Sequence, residues 1–436
     1  MPHDSTLQRF VAALSAVYGP LDDLAAADAP TWNPPTNPGA GGHRGRYLWT
    51  DAFGLLDLLT LHRETSSPLY IALARRLADV VHETLGRERE YHAHGGDSND
   101  NDDGEGGEGA RVPARLPGAT DAEPLRGGLR IGKLDASGPD ADGQYHHYLT
   151  LWMFALNRLS LAAGEPRWND LAVQLAKAVH PHFVLRMPSA LFSSSERLRR
   201  HHQHNGDDGD EGEERGEEDE GRLKMVWKIS TDMRRVLVSS EGHLDAATGL
   251  VIYALLQRTA AQQGRGEGLL AREVAEYAGL TRRSDLAPSG DPLDLGMGLW
   301  VCQFDGAATP AGGGGIGQGT GTSGGSDSDD GGWAQRFIAD ALRLARVLLG
   351  PDSQLMRRSP SRRLAFREFG ACLGVRCVDA AAADETLQER VRAVLDFWER
   401  HQGGEDDDLR PISKVMYAAA LIPGAFRKGF LGEETP

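Results

Sequence analysis

Carboxylates recur at five places in this chain, each at the start of a helical pattern, and four of the five also carry imidazoles, cations or aromatic rings. The first is Arg46-Tyr47-Leu48-Trp49-Thr50-Asp51, and the second is Asp142-Gly143-Gln144-Tyr145-His146-His147-Tyr148. Ser240-Glu241-Gly242-His243-Leu244-Asp245 follows, then Asp291-Pro292-Leu293-Asp294, then the stretch from Arg363 to Glu368. Upstream segments add Arg130 and Lys133 in GLRIGK, and Trp227, Lys228, Ser230 and Asp232 in VWKISTD. Two carboxylates can divide acid and base work when burial or a like charge keeps one protonated while the other stays ionised. Aromatic rings beside ionised groups suit polyhydroxylated ligands, the rings stacking on sugar faces and the charges gripping hydroxyls. For any one of these residues the ordinary role is different. Asp and Ser at helix starts cap free N–H groups and complement the helix dipole, and Trp49, Tyr148 and Trp152 are ordinary core residues. Their concurrence is what points to a site.

Nearly all the rest reads as helix. In the clearest case Ser67 is the N-cap, Pro68 the first helical residue, Leu73, Leu77 and Val81 the apolar stripe, and Gly86 the stop. Similar periodicity marks 49–64, 146–163, 167–183, 243–262, 267–280, 333–349, 363–374, 386–400 and 412–423. The amphipathic start of the chain and a short segment near 293–304 bring the number to about twelve. Strand signals are nearly absent. A shift of 98 residues lays SPLYIALARRLADVVHETL over EPRWNDLAVQLAKAVHPHF, so that Pro68 meets Pro166, Leu77 meets Leu175 and His82 meets His180. Tyr47 also falls on Tyr145, so a helical hairpin is written twice. Repeated hairpins stack into an open solenoid or close into a ring. Twelve helices match the closed form, so the expected fold is all-α, an (α/α)6 toroid of six helical hairpins forming one domain over 1–436. Inner helices of such a ring run the same way, so their polar starts would share one mouth.

Three low-complexity inserts, near 95–125, 195–221 and 306–332, are expected to be disordered loop expansions, because they lack apolar surface to bury. They hold the acidity. The formal charge is -16, yet the segments 95–109, 205–221 and 311–332 together carry -18. The remainder is near neutral, with no basic stripe for nucleic acid. No apolar run approaches the roughly 18 residues of a membrane span. Cys302, Cys372 and Cys377 form no CxxC and lie in apolar segments, which fits buried thiols in a reducing, cytoplasmic setting. His201, His202 and His204 border an acidic insert, and no metal site is expected there. The glycine runs at 311–325 lack the following Lys-Ser/Thr of a phosphate loop, so no cofactor is expected.

The run RYLWTDAFGLLDLLTLHRETSSPLYIALARRLAD resembles the second hairpin of six-hairpin glycosidases, especially unsaturated glucuronyl hydrolases. Trp49, Thr50, Asp51 and Phe53 match their Trp-Thr-Asp-Gly-Phe-like run, and Ala52 replaces the glycine. The resemblance implies a catalytic Asp one hairpin later, where the nearest counterpart is Asp142 in Asp142-Gly143-Gln144-Tyr145. It implies a glycoside hydrolase acting on a small carbohydrate, with Asp142 as acid/base and Asp51, Asp232 or Asp245 as its partner. Trp49, Arg130, Lys133, Gln144, His147, Trp227, Lys228 and His243 would bind substrate. A weaker resemblance to sugar 2-epimerases would instead use His147 and His243 as opposed acid and base. A third reading is a non-catalytic, protein-binding scaffold.

Overall fold

The computed structural model describes residues 2–35, 45–89, 112–135, 138, 141–187, 222–307, 332–401 and 409–432. The cores of the three inserts, and His201, His202 and His204 with them, lie outside the described residues. Residues 112–125, expected to belong to the first insert, are described and are anchored by two leucines on an otherwise mostly exposed segment. Leu116 and Leu125 are buried, and the Leu125 N–H donates to the Gln174 side chain at 2.8 Å. The insert therefore stops where leucines return to the sequence.

The described chain is mostly helical. Its helices are α1 (Pro2–Tyr18), α2 (Leu48–Thr65), α3 (Pro68–Leu85), α4 (His146–Ala163), α5 (Pro166–Phe183), α6 (Asp245–Gln262) and α7 (Ala271–Thr281). Then come α8 (Pro292–Cys302), α9 (Trp333–Leu348), α10 (Ala365–Cys377), the short α11 (Asp379–Ala382), α12 (Glu385–Arg400) and α13 (Arg410–Leu421). The 98-residue repeat is kept at every boundary, since α4 and α5 begin and end 98 residues after α2 and α3. Ser67 accepts the Leu69 N–H ahead of Pro68, as its position in the sequence implies. None of the described helices is long and apolar enough to cross a membrane.

Two kinds of helix alternate. In α2 every residue from Leu48 to Leu61 is buried, whereas α3 buries a stripe through Leu73, Leu77 and Val81. A helix apolar on all sides belongs inside, and a striped one covers it. Accordingly α2, α4, α6, α8, α10 and α13 each pack against the next in that order, and α13 packs against α2. The striped helices α3, α5, α7, α9 and α12 pack against their hairpin partners, and α1 packs against α13. One apolar cluster runs through all of them, from Phe10 to Phe426. The α8–α10 contact is backbone on backbone. A Cβ on Gly296 would lie 1.9 Å from the Gly370 carbonyl oxygen, and one on Gly374 2.2 Å from the Gly296 oxygen.

Past α13 the chain turns inward. Phe426, fully buried, meets Phe53, Phe154 and Trp300 with ring centroids 4.8, 6.4 and 6.1 Å away. Thr60 accepts the Ala425 N–H, and Arg158 donates to the carbonyls of Ala425 and Arg427. Gln303 adds a bond to the Phe426 carbonyl.

The described residues also form five short strands: β1 (Gln144–Tyr145), β2 (Val184–Met187), β3 (Arg222–Met225), β4 (Lys228–Ile229) and β5 (Val236–Val238). Strands of two to four residues are too short to write an alternation into the sequence. The antiparallel β1–β4 pairing sets Tyr145 opposite Lys228, which brings the VWKISTD segment onto the start of α4.

Candidate functional site at the helix N-termini

The starts of α2, α4 and α6 meet through side chains. Tyr47 and Tyr148 share a hydroxyl–hydroxyl bond of 2.5 Å. The Trp49 ring lies 5.1 Å from Tyr148 and 6.0 Å from His147, and Trp227 stands 5.9 Å from His147 and edge-on to Tyr145 at 5.1 Å. His147, with 39% of its side chain exposed, is thus ringed by Trp49, Tyr145, Tyr148 and Trp227. Beneath it the buried Asp245 places Oδ1 3.8 Å from His147 Nδ1 and 3.5 Å from His146 Nδ1. His146 is fixed from the other side, its Nε2 2.7 Å from the Tyr277 hydroxyl.

The starts of α8 and α10 join in the same way. Asp291 is a true N-cap, accepting the N–H groups of Leu293 and Asp294, and its second oxygen pairs with Arg367. Arg367 acts electrostatically on Tyr148, and Asp294 feels both Asp245 and His243. The capping reading therefore holds for Asp291. It fails for Asp245, which sits in the first turn of a helix whose N-cap makes no side-chain bond.

The two interior carboxylates have opposite tendencies. Burial opposes ionisation of Asp245, but His146, His147 and the Gly242 N–H outweigh it and hold the carboxyl below its usual range. Burial pushes Asp294 up, and the neighbouring charges of Asp291 and Asp245 add to that, against His243 and Arg367. The rings packed around His147 screen it from water and lower its basicity despite the pull of Asp245, although part of the side chain stays exposed.

Comparison of the chain with protein-family models, curated proteins and solved structures gives no match.

The other candidates are engaged in contacts of their own. Asp142, which the resemblance makes the acid/base, is buried in the loop before β1. Its Oδ1 accepts three backbone N–H groups, from Gly132 (2.9 Å), Lys133 (3.2 Å) and Gly143 (3.0 Å), and its Oδ2 lies 3.4 Å from Arg130. That carboxylate staples a loop. Arg130 is engaged there too, also donating to the carbonyls of Arg87 and Thr84. Gln144 is fully buried, donating to the carbonyls of Gly127 and Thr231 and accepting the Leu129 N–H. Asp51 is fully buried in an ion pair with Arg46 at 2.9 Å and accepts the Tyr18 hydroxyl, burial pushing its pKa up to about 6. Asp232 closes its own turn, accepting Ser230 Oγ and the Arg234 N–H. Lys228 is buried with Nζ 4.9 Å from the Tyr145 ring, and exposed His243 holds its Nε2 on the Ala287 carbonyl at 2.7 Å. So the structure gathers Trp49, His147, Trp227 and Asp245, and gives Asp51, Asp142, Arg130 and Gln144 other work. His146, Tyr148, Asp294 and Arg367 join the site without having been assigned a role from sequence. The signal available for them was their place in the polar clusters at alternate helix starts. Among the described residues no group of His, Cys, Asp or Glu is arranged to hold a metal.

Proposed function

We propose that α2, α4, α6, α8, α10 and α13 form the inner wall of a closed (α/α)6 ring, and that the mouth at their N-termini binds a small carbohydrate and hydrolyses a glycosidic linkage. The ring is supported by the sequential packing of these six helices and by the return of α13 to α2. The observation that carries the function is the aromatic collar of Trp49, Tyr145, Tyr148 and Trp227 around a half-exposed His147, directly above the Asp245 carboxylate. Trp49 and Tyr145 are buried supports of this collar, so Tyr148 and Trp227 would offer the rings to a sugar, with the carboxylate beside a hydroxyl or glycosidic oxygen.

Asp245 and Asp294 are the paired carboxylates of this reading. Asp294, held toward the protonated form, donates to the leaving oxygen. Asp245, held ionised, activates water or stabilises the developing positive charge. His147, whose Nδ1 faces Asp245, orients a hydroxyl of the ligand. Asp142 is not used, because its oxygens are already committed to the loop. The epimerase alternative is weaker, since the His243 Nε2 is occupied by the Ala287 carbonyl.

The test is a screen of the purified protein against ordinary and unsaturated disaccharides, followed by Asp245→Asn and Asp294→Asn on any substrate found. Absence of both turnover and binding across the panel would sink the carbohydrate reading.

A further inference from the structure

Between α9 and α10, residues 353–364 carry Arg357, Arg358, Arg362 and Arg363 around Ser359-Pro360-Ser361, with no acidic residue from 353 to 367. In a chain of net charge -16 this is an island of the opposite sign. The segment is pinned at both shoulders. Arg363 is buried, bonds Glu368 through Nε at 2.7 Å, lies 4.2 Å over the Phe397 ring and reaches Met356 Sδ. The Met356 N–H is held by Ser353 Oγ. Between these anchors, Arg357, Arg358, Ser359, Ser361 and Arg362 are exposed and, with Gln354, border a shallow, open depression of about 600 Å³.

The plain alternative is a solvated surface loop. Three observations argue for more. Two hydroxyls are set between guanidinium groups on this open surface, Ser359 Oγ and Ser361 Oγ being 3.1 Å apart. The Arg358 and Arg362 side chains meet no carboxylate among the described residues, and Arg357 pairs only across the surface with Asp352, whose side chain is 89% exposed. An exposed pair of that kind contributes about 0–1 kcal/mol and is easily redirected. Finally, Ser359 has extended backbone (φ -62°, ψ 150°) ahead of Pro360, the form in which a peptide segment lies in an enzyme cleft.

We propose that Ser359 is a phosphorylation site and that Arg357, Arg358 and Arg362 hold the resulting phosphoserine. The Ser359 hydroxyl oxygen attacks the terminal phosphorus of a nucleoside triphosphate on a protein kinase. The new O–P bond forms as the bond to the nucleoside diphosphate breaks, and the hydroxyl proton leaves to the kinase's base. The ester carries about -1.5 to -2 charges and three strong acceptors. Planar guanidinium forks bind such a group in bidentate fashion, more strongly than neutral donors do.

The test has two arms on the full chain. In the first, phosphoserine is installed at 359 by genetic encoding and its second ionisation is followed by ³¹P NMR. Against a phosphopeptide of residues 354–363 in which the three arginines are glutamine, the pKa should fall by roughly 0.5 or more, each unit being a tenfold change in proton affinity. R357Q/R358Q/R362Q in the full chain should remove the fall. A phosphate that titrates like the peptide's, with or without the arginines, overturns the cradle. In the second arm the unmodified chain is incubated with an arginine-directed serine kinase and nucleoside triphosphate. Mass spectrometry should find the phosphoryl group on Ser359 and none on S359A. A folded chain that takes no phosphoryl group at 359, or takes it only elsewhere, overturns the site.

Discussion

The two ends of the mostly buried helices differ in how they use polar groups. At the N-terminal end, polar side chains from different helices face one another: Asp245 with His146 and His147, Tyr47 with Tyr148, Asp291 with Arg367. At the C-terminal end Asn157 of α4 also reaches Thr259 of α6, but Thr60, Arg158 and Gln303 bind the backbone of the segment around Phe426. Groups that hold their own chain's backbone are committed to structure. Groups that hold each other across helix starts can exchange those partners for a ligand. The ends of α2, α4 and α8 thus hold the segment around Phe426, a plug, while the starts of α2, α4 and α6 carry the aromatic collar.

The largest expected effect is on activity. Asp245→Asn and Asp294→Asn should each lower turnover by roughly 10²–10⁴ on an active substrate, with the melting temperature within a few degrees. Full turnover in either variant would remove that residue from the chemistry. At the plug the sign of the comparison reverses. Phe426→Ala should cost about 3–5 kcal/mol in urea unfolding, as for other buried phenylalanines, so a mild loss would mean the plug is dispensable. Gly296→Ala, with its Cβ forced against the Gly370 carbonyl, should cost about 1–3 kcal/mol or more by overpacking. A neutral result there would show that α8 and α10 can separate without penalty.

The steepest pH dependence of stability should come from outside the collar. His82 in α3 accepts Trp152 Nε1–H, and burial pushes its pKa down to about 3. An unfolded histidine takes a proton near pH 6.5. Stability is therefore lost as the pH falls from about 6.5 toward 3, at up to about 1.4 kcal/mol per unit. Asp51, raised to about 6, acts in the other direction, its contribution being lost as the pH rises from about 4 to 6. His82→Gln should start less stable but show a shallower acid limb, measured as urea midpoints from pH 7 to pH 4. An unchanged slope would mean that other histidines, such as the buried His180, carry it. The smallest stability effect belongs to Trp227→Ala at the half-exposed rim, within about 1 kcal/mol, while sugar binding followed by tryptophan fluorescence should weaken.

Helix positions were legible in the sequence because each carried its own period and punctuation. Ser67, Pro68 and Gly86 mark α3, and the 98-residue shift marks two hairpins at once. Site residues were less legible, because the type of a residue does not say what it faces. Asp142 lies in a Gly-containing turn that suits a catalytic carboxylate and a backbone staple equally. Only the N–H groups of Gly132, Lys133 and Gly143 around it distinguish the two. Asp294 lies in one of the polar clusters, but its environment depends on Asp245, 49 positions away in the sequence. The strands were invisible for a simpler reason, their length.

The contact between the first and last helices bears on how the chain is made. Arg9 bonds the Tyr417 hydroxyl across 408 positions of sequence, and Phe10 and Leu14 of α1 are fully buried. At about 5–20 residues per second of synthesis, α1 waits roughly 20–80 s before α13 exists to cover it. Through that interval an apolar stripe on a nascent chain is open to solvent and to neighbouring chains. A ribosome-associated chaperone that shields the α1 stripe would therefore raise the yield of folded protein more than one that acts after release.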